Sequence, residues 1–247
     1  MILAAGLGTR LRPLTNDRPK ALVELGGRTL LEITLARLRA FGIREVIVNV
    51  HHFADKVIDY LAANDNFGMR IEISREEELL DTGGGLKKAA WFLLEDGPEK
   101  DAPFLLHNVD VFSNIDLAAM AQAQKKRAAL ATLAVQNRPT SRPLLFDSRG
   151  IFHGRAPRSG SSAETSTTNA PLQPLAFSGI HILSPRIFPK MPEESAFSII
   201  DVYVRLAAEG EPIAAFNADK SYWRDLGKPE NIAQAEQDIG SGAYPGL

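Results

Sequence analysis

Short apolar runs alternate with segments of helical periodicity through the first half of the chain. The β-branched run 45–50 predicts a buried strand, whereas the leucines at 31, 35 and 38 recur at the spacing of one helix face. The same contrast predicts further strands at 1–5, 69–74, 103–108 and 128–135, and helices at 29–41, 54–62, 86–94 and 116–126. Strands that alternate with helices are typical of a mainly parallel sheet with helices on both faces, so we expect a Rossmann-like α/β fold.

The second half of the chain has a different pattern. Apolar runs on either side of the turn sequence 147–150 predict a hairpin. Residues 155–174 are rich in Ser, Thr, Pro, Gly and Ala and lack an apolar period, so we expect a mobile loop there. The remaining pattern predicts strands at 175–183 and 213–217 and helices at 199–208 and from 229 onward. We therefore expect a small antiparallel lobe on the substrate side of the same, and hence mixed, sheet.

Composition narrows the class of protein. The 247 residues suit one large domain or two small ones. A net charge of −2 disfavours a general nucleic-acid binder, which carries a basic excess to meet phosphates. The absence of cysteine excludes disulfides, thiolate zinc sites and thiol nucleophiles. No apolar run reaches the ~18–20 residues that span a bilayer, so we expect a soluble, cytoplasmic protein with no membrane partner.

The first predicted strand leads into a glycine-containing loop, 6–15, with an unusual concentration of cations. Glycines directly after a strand let backbone N–H groups turn toward a phosphate, although a tight turn would need them too. The dinucleotide fingerprint requires a third glycine where Leu11 stands, and the P-loop requires a Gly-Lys-Ser/Thr sequence that is absent. Four cations follow within eleven residues against the single acid Asp17: Arg10, Arg12, Arg18 and Lys20. This indicates a local anion site, with a solvated basic loop as the alternative.

Two acids and a second glycine cluster are candidates for a metal site and a base-binding segment. Asp110 follows a predicted strand, and Asp225 lies in the segment Trp223-Arg224-Asp225-Leu226-Gly227. Two carboxylates suit Mg²⁺, which takes one or two of them together with phosphates and waters. Taken singly, each acid could equally be a cap or a surface group. The triplet Gly83-Gly84-Gly85 is expected to precede a helix, to leave N–H groups free, and to let a flat base approach the backbone.

Together these segments resemble the sugar-1-phosphate nucleotidyltransferase family. The family opens with Ala-Ala-Gly-x-Gly-Thr-Arg-Leu-x-Pro-Leu-Thr followed by Pro-Lys-x-Leu, and this chain matches it at 4–15 and 19–22. The family also carries an Asn-x-Asp segment and a Trp-x-Asp-Leu/Ile-Gly segment, which correspond here to 108–110 and 223–227. The sequence Asp81-Thr82-Gly83-Gly84-Gly85 is close to the Glu-Thr-Gly-Gly-Gly of N-acetylmuramate-1-phosphate uridylyltransferases.

The resemblance implies an Mg²⁺-dependent transfer of a nucleotidyl group from an NTP, with UTP favoured, to a sugar 1-phosphate. It implies catalytic roles for Arg10, Lys20 and Asp110, and Mg²⁺ bound by Asp110 and Asp225. The implied nucleotide-binding residues are Ala4, Ala5, Gly6, Gly8, Thr9, Arg10, Thr82, Gly83, Gly84 and Asn108. The implied sugar-phosphate-binding residues are Lys20, Ser178 and Gly179. It also implies one nucleotidyltransferase domain over 1–247, with a nucleotide-binding half, 1–135, and a sugar-binding half, 136–240.

Two departures and two alternatives accompany this interpretation. Val109 stands where the family more often has glycine, so a side chain could crowd the ribose, and a Glu-Lys-Pro sugar-phosphate motif of some relatives has no counterpart. A cytidylyltransferase acting on a polyol phosphate, or a non-catalytic nucleotide-sensing protein, could share the glycine loop. The oligomeric state is not predicted. The acids 76–78 are expected to form a solvated turn, and His51, His52 and His107 to be structural.

Overall fold

The computed structural model describes residues 1–95, 102–156 and 171–244. These residues form two compact units, neither of which is a continuous stretch of chain. The first unit contains Met1–Asp81, His107–Ile115 and the chain from Ser221, and the second contains Thr82–Leu106 and Asp116–Lys220.

Strands and α-helices largely alternate up to residue 136, and strands predominate after it. The strands are β1 Ile2–Leu3, β2 Glu24–Leu25, β3 Arg28–Thr29, β4 Glu45–Val50, β5 Arg70–Arg75, β6 Phe104–Asn108, β7 Val111–Ser113, β8 Ala131–Gln136, β9 Leu144–Phe146, β10 Phe152–Arg155, β11 Gln173–Leu183, β12 Ile213–Asn217 and β13 Trp223–Asp225. The α-helices are α1 Leu30–Ala40, α2 Ala54–Ala63, α3 Asp81–Lys88, α4 Ala90–Leu93, α5 Leu117–Arg127, α6 Ile199–Ala208 and α7 Pro229–Gly240. Short 3₁₀ helices cover Thr9–Leu11, Lys20–Leu22, Asp65–Gly68 and Pro185–Lys190.

The first unit is built on parallel strands. β1 pairs with β4 on one side and with the last two residues of β6 on the other, and β5 continues beyond β4, all in parallel. The apolar residues of β4 are buried, as are Leu31, Leu35 and Leu38 on one face of α1. The carboxyl ends of parallel strands lie on one edge of a sheet, and the loop after β1 begins at that edge. Two small antiparallel pairs, β2–β3 and β7–β13, complete the unit.

The second unit is mostly antiparallel. β11 pairs in antiparallel fashion with both β8 and β9, β9 pairs likewise with β10, and β12 runs parallel to β8. The hairpin expected around 147–150 is the β9–β10 pair, in which the Asp147 side chain accepts bonds from the backbone N–H groups of Arg149 and Ile151. The mixed sheet with helices confirms the predicted fold class, including an antiparallel portion.

Several boundaries differ from those expected, each for a local reason. The strand expected at 1–5 ends at Leu3, because the Ala4 N–H donates to a side chain, that of Asn49, instead of to a neighbouring strand. The helix expected at 29–41 begins at Leu30, because Thr29 acts as its N-cap and accepts from the Glu32 amide. The strand expected from 128 begins at Ala131, since Ala128 ends α5 in the left-handed conformation.

The glycine triplet was expected to precede a helix, and this is wrong: Gly83, Gly84 and Gly85 lie within α3. The N–H groups of Gly83 and Gly84 both donate to the Phe197 carbonyl oxygen, at 2.9 and 3.3 Å. A Cβ atom at Gly83 would lie 2.4 Å from the Phe197 ring, so this position requires glycine for packing. The expected reason for three glycines, free N–H groups, therefore does not apply to the first two.

The mobile loop expected at 155–174 falls mainly on 157–170, which lie outside the described residues. Of its expected ends, Arg155 closes β10 and Gln173 opens β11. The expected functional halves, 1–135 and 136–240, remain a prediction, since the compact units divide the chain at other positions. None of the helices among the described residues is long and apolar enough to cross a bilayer.

Candidate active site

The glycine loop presents free backbone donors at the end of β1. Among the described residues, none accepts a hydrogen bond from the backbone N–H groups of residues 6–10. Gly8 has φ 66°, and its carbonyl oxygen accepts from the Thr15 hydroxyl at 2.8 Å. This hydrogen bond within the loop stabilises the turn. A Cβ at Gly8 would also approach Thr15 to 3.0 Å. Exposed, unpaired N–H groups in such a turn form a concavity suited to a phosphate.

Lys20 lies directly behind this loop. A Cβ atom at Gly6 would be 3.7 Å from the Lys20 Nζ, and one at Gly8 would be 3.2 Å from its Cβ. The Lys20 ammonium donates to Asp110 Oδ2 at 2.9 Å, and the two side chains are only 15% and 10% exposed. Lys20 therefore contacts both the glycine loop and Asp110.

The Lys20 ammonium keeps Asp110 ionised. Burial raises the pKa of Asp110, but the charge of Lys20 and its hydrogen bond lower it by more, with a smaller contribution from Arg10, so the pKa lies below its usual value. A carboxylate in this environment is charged at neutral pH. The group is thus ready to act as an anionic ligand.

Asp225 is brought to Asp110 by the short β7–β13 pair. In its register Asp225 lies opposite Val111, and the Leu226 N–H donates to the Asp110 carbonyl oxygen at 2.8 Å. Directly opposed residues of an antiparallel pair are roughly 4.5–5.5 Å apart at Cα, so the two acids occupy neighbouring backbone positions. The Asn231 side chain, from α7, donates to the Asp225 carbonyl oxygen at 2.7 Å and holds this segment.

Arg10 links the loop to the second acid. Its guanidinium lies 3.8 Å from Asp225 Oδ2, and the two side chains are 60% and 37% exposed. Gly227 N–H donates to the other carboxylate oxygen, Oδ1, at 2.7 Å. A Cβ atom at Gly227 would lie 2.6 Å from the guanidinium and 2.7 Å from Asp225 Oδ1, so glycine allows this close approach.

The pair of acids fits a divalent ion that takes most of its ligands from substrate and water. Among the described residues, no group of three or more His, Cys, Asp or Glu side chains forms a complete metal cage. Asp110 and Asp225 nevertheless offer hard oxygen ligands beside a loop with free N–H groups. Mg²⁺ commonly binds through one or two carboxylates plus phosphate oxygens, and this donor set matches that pattern.

The remaining nucleotide-side residues of the first unit lie at the same strand edge. Ala4 and Ala5 are buried at the end of β1, Thr9 begins the first 3₁₀ helix, and Asn108 ends β6 opposite Leu3. The sequence left open that the Val109 side chain could crowd the ribose, but this side chain is buried and the Val109 N–H donates to the Leu3 carbonyl oxygen. Its side chain therefore packs in the interior.

The other predicted site residues belong to the second unit. The Thr82 hydroxyl accepts from the Ile199 amide at 3.0 Å. Ser178 is fully buried and Gly179, with φ 74°, follows it where the β8–β11 register is irregular. Nucleotide binding by Thr82, Gly83 and Gly84 and sugar-phosphate binding by Ser178 and Gly179 stay predictions.

Two polar residues beneath the loop were missed by the sequence analysis. Glu76 was expected in a solvated turn, which is wrong, because it is only 2% exposed. Its Oε1 accepts from the Asn49 side chain at 2.6 Å, and Asn49 Oδ1 accepts from the Ala4 N–H at 2.7 Å. A polar residue inside the apolar run of β4 was the one signal that could have drawn attention to Asn49.

The histidines have structural partners. His51 Nδ1 bonds with the Glu76 carbonyl oxygen at 2.9 Å. His107 is completely buried, its Nδ1 bonds with the Asn108 carbonyl oxygen at 2.7 Å, and burial together with the nearby Arg37 lowers its pKa to about 3. His107 is therefore neutral at physiological pH and serves the core.

Comparisons with known proteins find similar sequences and similar structures. A family model described as nucleotidyl transferase matches residues 1–146. An N-acetylmuramate alpha-1-phosphate uridylyltransferase of Caulobacter vibrioides is 36% identical over 246 residues, covering 96% of this chain and 94% of its own length. A mannose-1-phosphate guanyltransferase of Yarrowia lipolytica is 30% identical and covers 94% of this chain, which spans only 61% of that relative. The fold matches a UDP-glucose pyrophosphorylase from Acinetobacter baumanii with a TM-score of 0.78 at 18% identity, covering 100% of this chain and 94% of the other.

Proposed function

This chain belongs to the sugar-1-phosphate nucleotidyltransferase family of enzymes, and on that premise we propose that it transfers a uridylyl group from UTP to a sugar 1-phosphate with Mg²⁺ as its cofactor. One observation carries the proposal. The free N–H groups of the glycine loop, the buried Lys20–Asp110 pair and the exposed Arg10–Asp225 pair lie in continuous contact. That arrangement supplies donors and cations for phosphates beside two carboxylates for a metal.

This reaction requires cations that compensate the charges of two phosphates, and it needs no general base. The second pKa of a phosphate monoester is ~6, so the attacking oxygen of the sugar 1-phosphate is largely ionised at neutral pH. This oxygen bonds to the α-phosphorus of the NTP while the bond to the bridging oxygen breaks, and pyrophosphate leaves with the electron pair. Catalysis then consists of positioning two anions in line and offsetting their repulsion.

Each cation has a distinct place in this step. We assign to Lys20, which lies against the loop, the neutralisation of charge that develops at the α-phosphate. We assign to Arg10, which is more exposed, the binding of the departing pyrophosphate. Mg²⁺, held by Asp110 and Asp225, would supply Lewis-acid stabilisation of phosphate oxygens.

The preference for UTP is supported by the Caulobacter relative and by the similarity of residues 81–85 to uridylyltransferases. The relatives do not all share one base, since the Yarrowia enzyme is a guanyltransferase. N-Acetylmuramate 1-phosphate is the first acceptor to test, because the Caulobacter relative is named for it. We further propose that the product serves as a cell-wall or polysaccharide precursor and is made in the cytoplasm.

The test measures pyrophosphate release from a panel of substrates. The NTPs are UTP, GTP, CTP, ATP and dTTP, and the acceptors are the 1-phosphates of N-acetylmuramate, N-acetylglucosamine, glucose and mannose together with a polyol phosphate. We expect UTP with a sugar 1-phosphate to give the fastest release, dependent on Mg²⁺, with the UDP-sugar identified by mass spectrometry. Fastest release with another NTP would contradict the base assignment, and turnover only with the polyol phosphate would contradict the acceptor class.

A further inference from the structure

A buried relay of hydrogen bonds runs beneath the glycine loop. The Leu80 N–H donates to Glu76 Oε2 at 3.0 Å, the Asn49 side-chain N–H donates to Glu76 Oε1 at 2.6 Å, and the Ala4 N–H donates to Asn49 Oδ1 at 2.7 Å. Asn49 and Glu76 are both 2% exposed. The relay thus joins the end of β1 to the residue just before α3.

The partners fix the orientation of the Asn49 side chain. Its oxygen faces a donor and its nitrogen faces a carboxylate, so rotating the amide by 180° would place like groups against each other on both sides. Glu76 makes no ion pair with any described residue, and its known partners are neutral N–H groups. Burying a carboxylate without a cation costs free energy. This cost indicates that Glu76 has a role other than packing in the core.

We infer that Asn49 and Glu76 are positioning residues for the nucleotide. Glu76 orients the Asn49 amide, and the Asn49 oxygen holds the peptide from which the glycine loop departs. Through the Leu80 N–H the same carboxylate also holds the chain just before α3. This inference rests on the proposed function and deepens it, because it assigns a role to residues that do not themselves carry the phosphates.

The pattern of donors and acceptors makes a reciprocal exchange possible. With Glu76→Gln, the new NH₂ group must face either the Asn49 NH₂ or the Leu80 N–H, so one donor always meets another. With Asn49→Asp, two buried carboxylate oxygens meet where a hydrogen bond of 2.6 Å was. In the double variant, the new amide at position 76 donates to the new carboxylate at position 49 and accepts from Leu80, while that carboxylate still accepts from Ala4. All three hydrogen bonds are then restored, and only the bond between residues 49 and 76 has its donor and acceptor exchanged.

The experiment measures the Kd for UTP with Mg²⁺ by calorimetry on the full chain, together with KM for UTP, kcat and the unfolding temperature. We expect E76Q and N49D each to weaken UTP binding and raise KM roughly tenfold or more, with a smaller change in kcat, since leaving a buried donor or acceptor unmatched is costly. We expect N49D/E76Q to return to within about threefold of wild type. Glu77→Gln is the matched control, because Glu77 is exposed next to Glu76.

The outcomes separate this inference from the proposed function. Single variants that bind UTP as tightly as E77Q would overturn the inference while leaving the proposed function intact. A double variant that folds with wild-type stability yet binds no better than the weaker single variant would overturn it as well. If the single variants fail to fold, the double variant alone decides, by whether its UTP affinity is restored. A wild-type chain that neither binds nor turns over any NTP contradicts the proposed function itself.

Discussion

The two cation–carboxylate pairs of the site differ in burial although they lie side by side. Lys20 and Asp110 are in contact at 2.9 Å and are almost enclosed, whereas Arg10 and Asp225 are 3.8 Å apart and face solvent. A buried pair is held tightly, and removing one partner leaves an uncompensated charge. An exposed pair is screened and contributes little to stability. On the proposed function, we expect the first pair to serve both folding and chemistry and the second pair to serve chemistry alone.

This difference suits the two ends of the reacting phosphate chain. The α-phosphorus must be held in one place while bonds form and break, which favours a rigid cation such as buried Lys20. The pyrophosphate must leave, which favours an exposed cation, as Arg10 is.

Lys20→Ala should have the largest effect, on both activity and stability. We expect kcat to fall on the order of 10²–10³-fold, as when a single stabilising donor is removed from an active site. We also expect the free energy of unfolding to drop by about 3 kcal/mol at neutral pH, because Asp110 is left buried without its cation. Steady-state kinetics and urea unfolding measure the two effects. Turnover within threefold of wild type would remove Lys20 from the mechanism.

The stability part of that effect should depend on pH. The folded-state pKa of Asp110 lies below its unfolded value, so the pair stabilises the fold above about pH 4 and this contribution is lost as the pH falls through the folded pKa. In Lys20→Met burial, which favours the protonated carboxyl, is opposed only by the weaker effects of a backbone hydrogen bond and Arg10. The difference in unfolding free energy between wild type and K20M should therefore be larger near pH 7 than near pH 3. A difference that stays constant over this range would show that the ion pair is not its cause.

Arg10→Ala should separate activity from stability. We expect a loss of activity on the order of 10–100-fold, because a cation facing the leaving pyrophosphate is removed. The unfolding free energy should change by less than about 0.5 kcal/mol, as for other exposed pairs. Arg70→Ala is the matched control, since Arg70 forms an exposed pair with Glu45 at 3.4 Å where β5 and β4 begin, at the edge of the sheet opposite the glycine loop. Equal kinetics for R10A and R70A would refute the role of Arg10.

Gly227→Ala should have the smallest effect. The added methyl group would meet the far end of the Arg10 side chain, which can move aside, and the Asp225 carboxylate. Overpacking of this kind costs roughly 1 kcal/mol when a flexible group yields, so we expect activity to fall only severalfold. Adding Arg10→Ala should reduce this effect, because the contact with the guanidinium is removed and only the contact with the Asp225 carboxylate remains. Independent, fully additive losses in the double variant would show that Gly227 does not act through Arg10.

The fold could be predicted where the spacing of apolar residues reflects which side chains are buried. The β-branched run of β4 and the leucine spacing of α1 identified both elements, because burial determines which residues occupy these positions. The end of β1 could not be predicted, since it depends on a bond from Ala4 to Asn49, a residue far along the chain. The position of the glycine triplet depends likewise on the Phe197 carbonyl oxygen, which no local pattern reveals.

Individual residues of the candidate site could be predicted from the sequence, but the contacts that bring them together could not. The resemblance identified Lys20, Asp110 and Asp225, whereas their convergence comes from the β7–β13 pair, whose strands have three residues each and no detectable pattern. Glu76 was misinterpreted because it begins a run of three acids, which ordinarily indicates a solvated turn. Its burial follows from the Asn49 side chain, which a sequence pattern does not place.

The most direct test of the account asks whether Asp110 and Asp225 share one divalent ion. Mn²⁺ binding to the full chain can be measured by electron paramagnetic resonance with an unreactive UTP analogue present. We expect one tight site in the wild type and its loss in both Asp110→Asn and Asp225→Asn, with Asp219→Asn, an exposed acid of the second unit, as the control. Retention of wild-type Mn²⁺ affinity in either site variant would contradict the account.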